Sequence, residues 1–139
     1  MDRKYVVLPS RPAGLPFSDA VLAGDALFLS GRIGLDPKTG RPPAAASDEA
    51  RLMLDGVRNV LSACAMSMDD LVYVQVFCSD VSLFGEFNAI YRPYFGSDLP
   101  ARAFLGSGPL LFGARFEIQG IAIRRHSRRS PRRRRRRAR

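Results

Sequence analysis

Two charged residues, Arg102 and Glu117, stand in stretches of sequence that are otherwise largely apolar. Arg102 lies near the start of the strand-like run Pro100–Leu105, and Glu117 lies inside a second run, Arg115–Ile123. An isolated charge is costly to bury unless a partner or a ligand compensates for the lost water. We therefore take both residues as the candidate active site. The alternative that needs no ligand is a salt bridge between them on adjacent strands.

The two side chains offer complementary chemistry. The planar guanidinium of Arg102 presents a fixed fork of donors that matches a carboxylate in two parallel hydrogen bonds. The Glu117 carboxylate can hold a water molecule, take up its proton and help to return a proton to a leaving group. Because the chain has a single histidine, His126, a histidine-based triad or zinc site is practically excluded.

The charge of the chain is concentrated at its C-terminal end. The formal net charge is +9, with 22 basic and 13 acidic residues, but eleven of the basic residues lie from Arg124 onward. The chain before Arg124 keeps 11 basic and 13 acidic residues and is therefore mildly acidic, near −2. We divide the chain into a domain over residues 1–126 and an arginine-rich tail over residues 127–139. Like charges repel and nothing apolar is available to bury, so the tail is predicted to be disordered. It is either a solvated extension or a nonspecific contact for RNA, DNA or an anionic membrane, which added salt would weaken steeply.

Length and composition indicate one globular domain. The chain has 139 residues, of which 46% are hydrophobic, enough for a single hydrophobic core. Cys64 and Cys78 form no CxxC motif, so we expect buried, reduced thiols in a cytoplasmic protein. The N-terminal residues lack a long apolar core, which argues against a signal peptide. No run of about 18 apolar residues predicts a membrane span.

The apolar pattern predicts the element order β-β-β-α-β-α-β-β. Two short apolar runs around Gly24-Asp25 indicate a hairpin, after an earlier strand near residues 5–8. Apolar residues that step by three and four from Ala50 to Cys64 predict an amphipathic helix with its cap at Ser47. The later predicted elements are a strand over 71–78, a second helix that opens at Ser82 and stops at Gly96, and strands over 102–106 and 114–124.

This order predicts an α+β sandwich, in which a sheet of about six strands carries both helices on one face. The last strand is almost continuously hydrophobic, so the other face of the sheet must also be covered. Oligomerisation is the natural way to cover it.

Six segments that follow one another along the chain carry a family resemblance. They are Gly14–Ser18, Phe28–Ile33, Asp36–Gly40, Phe87–Phe95, Pro100–Arg102 and Phe116–Ala122. Each is a weak signal alone. In register, over about residues 14–125, they resemble the RidA family, also called the YjgF or L-PSP endoribonuclease-like family.

The resemblance implies a chorismate-mutase-like fold with a mixed sheet, and a homotrimer with ligand clefts between subunits. It also implies hydrolysis of reactive enamine and imine intermediates, such as 2-aminoacrylate, to 2-keto acids and ammonia, without a cofactor or metal. The partner would be a small 2-imino or 2-keto acid. Two alternatives are a noncatalytic protein that binds small carboxylates, and an RNA-acting, endoribonuclease-like protein.

The resemblance further assigns roles in the cleft. Arg102 would anchor the substrate carboxylate and Glu117 would position the water. Ser30 and Gly31 would present the end of a strand to the ligand, and Asn88 would hydrogen-bond that segment. The alternatives are a plain turn for Ser30-Gly31 and an exposed helical amide for Asn88.

Three positions depart from the family pattern. Phe17 stands where tyrosine is common, so the cleft keeps an aromatic wall and loses a hydroxyl. Arg32 replaces a glutamine and would add a second cation beside the cleft. Phe104 stands where some members have cysteine, which narrows the pocket and removes any thiol role. Together they are compatible with the reaction and leave the substrate range open.

Overall fold

The computed structural model describes residues 1–126. The predicted tail over residues 127–139, with its expected nucleic-acid contact, lies outside the described residues and stays a prediction. Within residues 1–126, six strands and two α-helices follow the predicted order. They are β1 (Arg3–Val6), β2 (Ala20–Ala23), β3 (Ala26–Arg32), α1 (Ala46–Ala63), β4 (Leu71–Cys78), α2 (Phe84–Tyr91), β5 (Ala101–Gly106) and β6 (Phe116–Ile123).

The strands form one mixed sheet in the order β1-β2-β3-β6-β4-β5. Neighbouring strands are antiparallel except β4 and β5, which are parallel. Parallel neighbours need a crossover connection, and α2 supplies it. The predicted hairpin around Gly24-Asp25 is confirmed as β2 and β3. The predicted α+β architecture, a mixed six-stranded sheet with two helices, is also confirmed.

Helix α1 buries its apolar stripe against the sheet, as its spacing predicts. The prediction that Ser47 caps this helix is wrong. The helix begins at Ala46, after the extended residue Ala45, whose carbonyl accepts the Glu49 amide at 3.1 Å. No side chain caps this end. The predicted acidic first turn, Asp48 and Glu49, is present, where the helix dipole favours negative charge.

Glu49 is the residue of this helix whose role the sequence did not reveal. Its side chain is completely buried. The carboxylate accepts hydrogen bonds from the backbone amides of Arg115 and Phe116 at 2.6 and 3.1 Å, and from Arg115 Nη1 at 2.8 Å. A buried carboxylate is tolerated when its lone pairs are satisfied in this way. Glu49 therefore joins the first turn of α1 to the first residues of β6.

The ends of α2 also differ from the prediction. The prediction that Ser82 caps this helix is wrong, because α2 begins after Leu83 and no side chain among residues 1–126 caps it. Asp80 instead caps the preceding 3-10 turn, Val81–Leu83: its Oδ1 accepts from the Ser82 amide at 3.0 Å and the Ser82 hydroxyl at 2.7 Å. The α-helix ends at Tyr91, before the predicted stop, and a single 3-10 turn containing Pro93 follows. Proline has no amide hydrogen to continue the helical ladder, so the α-helix cannot run on to Gly96.

Both helices lie on one face of the sheet and share one core with it. Phe87 of α2 stacks on Phe116 of β6 at 5.0 Å between ring centroids, and α1 packs into the same cluster. The opposite face, which we call the open face, carries exposed apolar side chains, including Phe28 at 49% exposure. The expectation that the helices leave one apolar face uncovered is therefore confirmed.

Two further expectations concern cysteine and the membrane. Cys64 and Cys78 are both free and buried, as expected; the cytoplasmic location inferred from them stays a prediction. Among the residues that the structure describes, no helix combines the length and the apolar character needed to cross a lipid bilayer.

We predict that Glu49→Ala lowers the free energy of unfolding by about 3–5 kcal/mol, because it leaves the Arg115 charge and two backbone amides without their buried acceptor. Glu49→Gln should lose less, since its amide oxygen still accepts. Glu86→Ala, which removes an exposed glutamate of α2, is the matched control and should change stability by less than about 0.5 kcal/mol. Urea denaturation measures all three. Equal effects of Glu49→Ala and Glu86→Ala would contradict the role given to Glu49.

Candidate active site

Arg102 and Glu117 lie on opposite faces of the sheet. Arg102 of β5 is in register with the buried Val74 and so points to the helix side. Glu117 of β6 is in register with Phe77, between the buried residues Phe116 and Ile118, and so points to the open face. Strand β4 separates β5 from β6. The salt-bridge alternative is therefore wrong, because the two side chains neither share a face nor lie on adjacent strands.

Arg102 is fixed by α2 and by aromatic rings. Its Nη2 donates to Asn88 Oδ1 at 2.7 Å. Its guanidinium carbon lies 4.8 Å from the Tyr91 ring centre and 5.5 Å from that of Phe104. The rings of Phe84 and Phe87 lie slightly farther away. A guanidinium is well suited to such stacking because it is planar and weakly hydrated. The cation is thus oriented before any ligand arrives.

Asn88 serves Arg102 rather than the end of β3. Its expected hydrogen bond to Ser30-Gly31 is absent within the single chain, and its amide oxygen accepts from Arg102 instead. The alternative of an exposed helical amide is also wrong, since Asn88 is half-buried and bonded. Asn88 bonds Arg102 because its position on α2 lies above β5, the strand that carries Arg102.

Phe104 packs inward, away from open solvent. Its ring contacts Phe84 edge-on at 5.1 Å and Phe87 at 5.4 Å between centroids. It therefore forms part of the aromatic support under Arg102. The expectation that it narrows a ligand pocket is not tested by these contacts.

An open cavity of about 320 Å³ lies beside Arg102. Its size is typical of small-molecule sites. Four of its six lining residues have polar side chains, and two of these are arginines. The lining consists of Asn88, Tyr91, Arg92, Leu99, Pro100 and Arg102.

Glu117 lies directly over Gly31. A Cβ atom built at Gly31 would overlap the Glu117 Oε1 atom, so only glycine leaves the carboxylate its place. Within residues 1–126, the Glu117 side chain forms no hydrogen bond and no ion pair. The structure therefore brings Gly31 and Glu117 together at the end of β3 and leaves the carboxylate free to act on a ligand or water.

Ser30 ties the segment that carries Phe17 to the same strand end. Its hydroxyl donates to the Ser18 carbonyl, and its amide donates to the Asp19 carbonyl at 3.1 Å. Both donors are thus engaged within the chain. Phe17 is half-exposed, and the Arg11 guanidinium lies 5.1 Å from its ring centre. Ser30 therefore holds the Phe17 loop beside Gly31.

Arg32 is engaged in packing and ion pairing. Its Nη2 lies 3.3 Å from Asp19 Oδ1, and a Cβ at Gly56 of α1 would lie 2.7 Å from its Cδ. Burial lowers the pKa of Arg32, Asp19 opposes this shift, and Arg11 adds to it. The structure thus places Arg32 against α1 with a buried carboxylate partner. Asp19, which also accepts from the Leu8 amide at 2.7 Å, had no sequence signal beyond its charge.

The sequence-predicted residues therefore form two separate groups in one chain. One group, which we call the glutamate half-site, contains Phe17, Ser30, Gly31 and Glu117. The other, the arginine half-site, contains Asn88, Arg102 and Phe104. Arg32 joins neither through a direct contact.

Comparison with known proteins identifies the relatives of this fold. The family model described as Endoribonuclease L-PSP matches residues 9–124. The 2-iminobutanoate/2-iminopropanoate deaminase of Rattus norvegicus is 35% identical over 123 residues, which cover 87% of this chain and 90% of the relative. The chain belongs to the RidA, or L-PSP endoribonuclease, family. The Escherichia coli deaminase of the same name is 32% identical and covers 88% of this chain and 98% of its own length.

Solved structures of RidA-family proteins share the fold. The crystal structure of the YjgF gene product from E. coli superimposes with a TM-score of 0.80 at 32% identity, covering 88% of this chain and 99% of that one. The crystal structure of E. coli TdcF with bound serine superimposes with a TM-score of 0.80 at 31% identity, covering 88% of this chain and 100% of that one.

The Tyr91 phenol under Arg102 gives this family member a testable pH dependence. Burial raises the pKa of Tyr91 to about 12, with an opposing effect of Arg102. The unfolded chain, with a tyrosine pKa of about 10, loses this proton first as pH rises. Hence ionisation of this phenol does not lower the free energy of unfolding below about pH 10, and it lowers that free energy progressively between about pH 10 and 12. As the pH rises from about 10 to 12, the free energy of unfolding should therefore fall less in Tyr91→Phe than in wild type.

Denaturation with urea at a series of pH values measures this difference. Tyr5→Phe, at an exposed position of β1, is the control. Parallel stability profiles for wild type and Tyr91→Phe would rule out the predicted contribution.

Proposed function

We propose that this protein is a deaminase that hydrolyses reactive enamine and imine intermediates, such as 2-aminoacrylate, to 2-keto acids and ammonia. Relatives named 2-iminobutanoate/2-iminopropanoate deaminase, similar over most of the chain, support the assignment. The observation that carries it is the state of the two charged groups. Arg102 is oriented beside an open cavity, and Glu117, over Gly31, has no partner among residues 1–126.

Arg102 is suited to bind the substrate carboxylate. Only one of its hydrogen bonds, to Asn88, is used within residues 1–126. The remaining N–H groups can therefore donate to a carboxylate in the bidentate geometry that lysine cannot provide. Because Asn88 and the aromatic rings hold the guanidinium in place, little side-chain freedom is lost when the ligand binds.

Glu117 is suited to act on the water. An imine carbon next to a carboxylate is already electrophilic, so the protein has mainly to orient the substrate and one water molecule. Glu117 accepts a proton as the water oxygen bonds to the imine carbon. It then helps to return a proton to the nitrogen as the carbon–nitrogen bond breaks. One imine and one water yield one keto acid and one ammonia, with no oxidant or cofactor required.

The catalytic cleft is proposed to form between copies of the chain. With β4 between them, β5 and β6 are about 10 Å apart, and their site residues face opposite sides. One chain therefore cannot present both groups to a substrate of a few carbon atoms. A homotrimer in which the arginine half-site of one copy meets the glutamate half-site of the next would complete three clefts, as expected for a chorismate-mutase-like assembly.

The open face supports this assembly. Phe28 of β3, Ile121 and Ile123 of β6 and Leu105 of β5 lie on it, and three of them are at least 40% exposed in the single chain. Burial of such a surface against a second copy would remove apolar area from water. We propose that the sheets of the trimer pack on this face.

The remaining site residues take supporting roles. Ser30 holds the Phe17 loop, so that the aromatic wall stands next to Gly31 and Glu117. Phe104 supports Arg102 from below. The ion pair with Asp19 favours a structural role for Arg32, and its predicted contact with substrate is the least supported of the set.

We expect separate kinetic effects from the two charged residues. Arg102→Ala should lower kcat/KM by about 100-fold through loss of the carboxylate anchor, and Arg102→Lys should recover only part of it. Glu117→Gln should lower kcat by at least about 100-fold while 2-oxobutanoate still binds. A serine or threonine dehydratase coupled to the protein, with the imine trapped as its semicarbazone, measures the activity.

Arg3→Gln and Glu86→Gln, which change exposed charges outside both half-sites, serve as matched controls and should retain full activity. A wild-type protein that binds 2-oxobutanoate but leaves imine trapping unchanged would support the noncatalytic alternative instead. Full activity of Arg102→Ala would contradict the proposed mechanism.

Mixing two inactive variants tests the composite cleft. Arg102→Ala and Glu117→Gln chains, refolded together in equal amounts, should recover about a quarter of wild-type activity, because one cleft in four then receives both intact groups. Each variant refolded alone should stay inactive. If the site were completed within one chain, the mixture would show no recovery. Light scattering of wild type, against 15.4 kDa for one chain, gives the number of copies.

A further inference from the structure

The cavity beside Arg102 contains a second cation that the proposed reaction does not use. Arg92 lines it together with Arg102. Within residues 1–126, the Arg92 side chain forms no ion pair and no hydrogen bond. Asp98, an acid close to it in sequence, lines a neighbouring cavity instead. Two arginines thus border one cavity without an acidic partner.

The backbone places Arg92 on the same side of α2 as Asn88. Arg92 follows Asn88 by four residues and has helical dihedral angles of −54° and −43°. Residues four apart lie one above the other, about one helical turn apart. Since Asn88 bonds Arg102, the sequence of polar groups along the cavity is Arg102, Asn88 and Arg92. A ligand with an anionic group at each end could therefore meet Arg102 with one group and Arg92 with the other.

A buried hydroxyl in the same lining lacks a partner. Tyr91 is 5% exposed, and within residues 1–126 its Oη atom makes no hydrogen bond. Buried polar groups are nearly always paired, so an unpaired one calls for an explanation. Burial raises the pKa of Tyr91 to about 12, which keeps the phenol protonated and able to donate. An anion in the cavity would provide the acceptor that the chain does not.

We propose that this cavity binds the second carboxylate of a dicarboxylic 2-imino or 2-keto acid, with Arg92 as its cation and Tyr91 Oη as a donor. The proposal rests on the proposed function, because Arg102 must bind the first carboxylate. Arg92 and Tyr91 are binding residues here and take no part in the bond changes. They extend the substrate class from monocarboxylic to dicarboxylic acids.

Calorimetry with two keto acids tests the site on the full-length protein. Wild type should bind 2-oxoglutarate, a dicarboxylate, more tightly than 2-oxobutanoate, a monocarboxylate. Arg92→Gln should weaken 2-oxoglutarate about fivefold, the order expected for one exposed charge contact, and leave 2-oxobutanoate unchanged. Arg3→Gln should change neither. Equal effects of Arg92→Gln on both ligands, or no measurable 2-oxoglutarate binding by wild type, would overturn the proposal.

Tyr91→Phe provides an independent measurement. Removal of an unpaired buried hydroxyl should leave the melting temperature unchanged or raise it, while 2-oxoglutarate affinity falls. A lower melting temperature would mean that the hydroxyl already has a partner, and unchanged affinity would mean that it does not meet the ligand. Either result contradicts the donor role.

The deaminase assay separates this inference from the function on which it rests. Suppose that Arg92→Gln still hydrolyses the monocarboxylic imine and binds the two keto acids with the same preference as wild type. That result would reject the second carboxylate site and retain the deaminase function. If instead wild type has no deaminase activity but its 2-oxoglutarate binding depends on Arg92, the proposed deaminase function is rejected and the dicarboxylate site is retained.

Discussion

The buried Glu49 carboxylate is the constraint on which the two-sided site depends. Successive residues of a strand point to opposite faces of the sheet. A shift of the β6 register by one residue would therefore move every side chain of that strand to the other face. By accepting the amides of Arg115 and Phe116, Glu49 fixes where β6 starts relative to α1. Phe116 then enters the core and Glu117 faces the open side, over Gly31. A charge with no catalytic role thus decides where the proposed catalytic charge points.

The second organising feature is the aromatic support of Arg102. Four rings and one amide hold a guanidinium whose other donors have no partner in the described part of the chain. Rings of this kind orient the cation without neutralising it, whereas a carboxylate partner would compete with the substrate. Asp19 is such a carboxylate partner for Arg32. The contrast explains why two arginines that look equally available in the sequence differ in their surroundings.

Local signals in the sequence predicted the elements better than their ends. The apolar period of α1, the hairpin around Gly24-Asp25 and β4 follow from side-chain patterns that the nearest neighbours already determine. The caps at Ser47 and Ser82 were wrong, because several residues near each start could supply an oxygen or an extended backbone. Ala45 precedes α1, and Leu83 precedes α2 after the turn that Asp80 caps. Both positions depend on how the preceding segment enters the helix, which the pattern does not contain.

The sequence by itself determined the element order, the α+β class and the set of charged residues available for chemistry, because periodicity and residue type are properties of the chain. Only the tertiary structure decided that Arg102 and Glu117 lie on opposite faces, that Asn88 serves Arg102, and that Glu49 is a buried clamp. These facts depend on strand order and register, in which β6 inserts between β3 and β4. Contacts between residues far apart in sequence set that arrangement, and no local pattern records it.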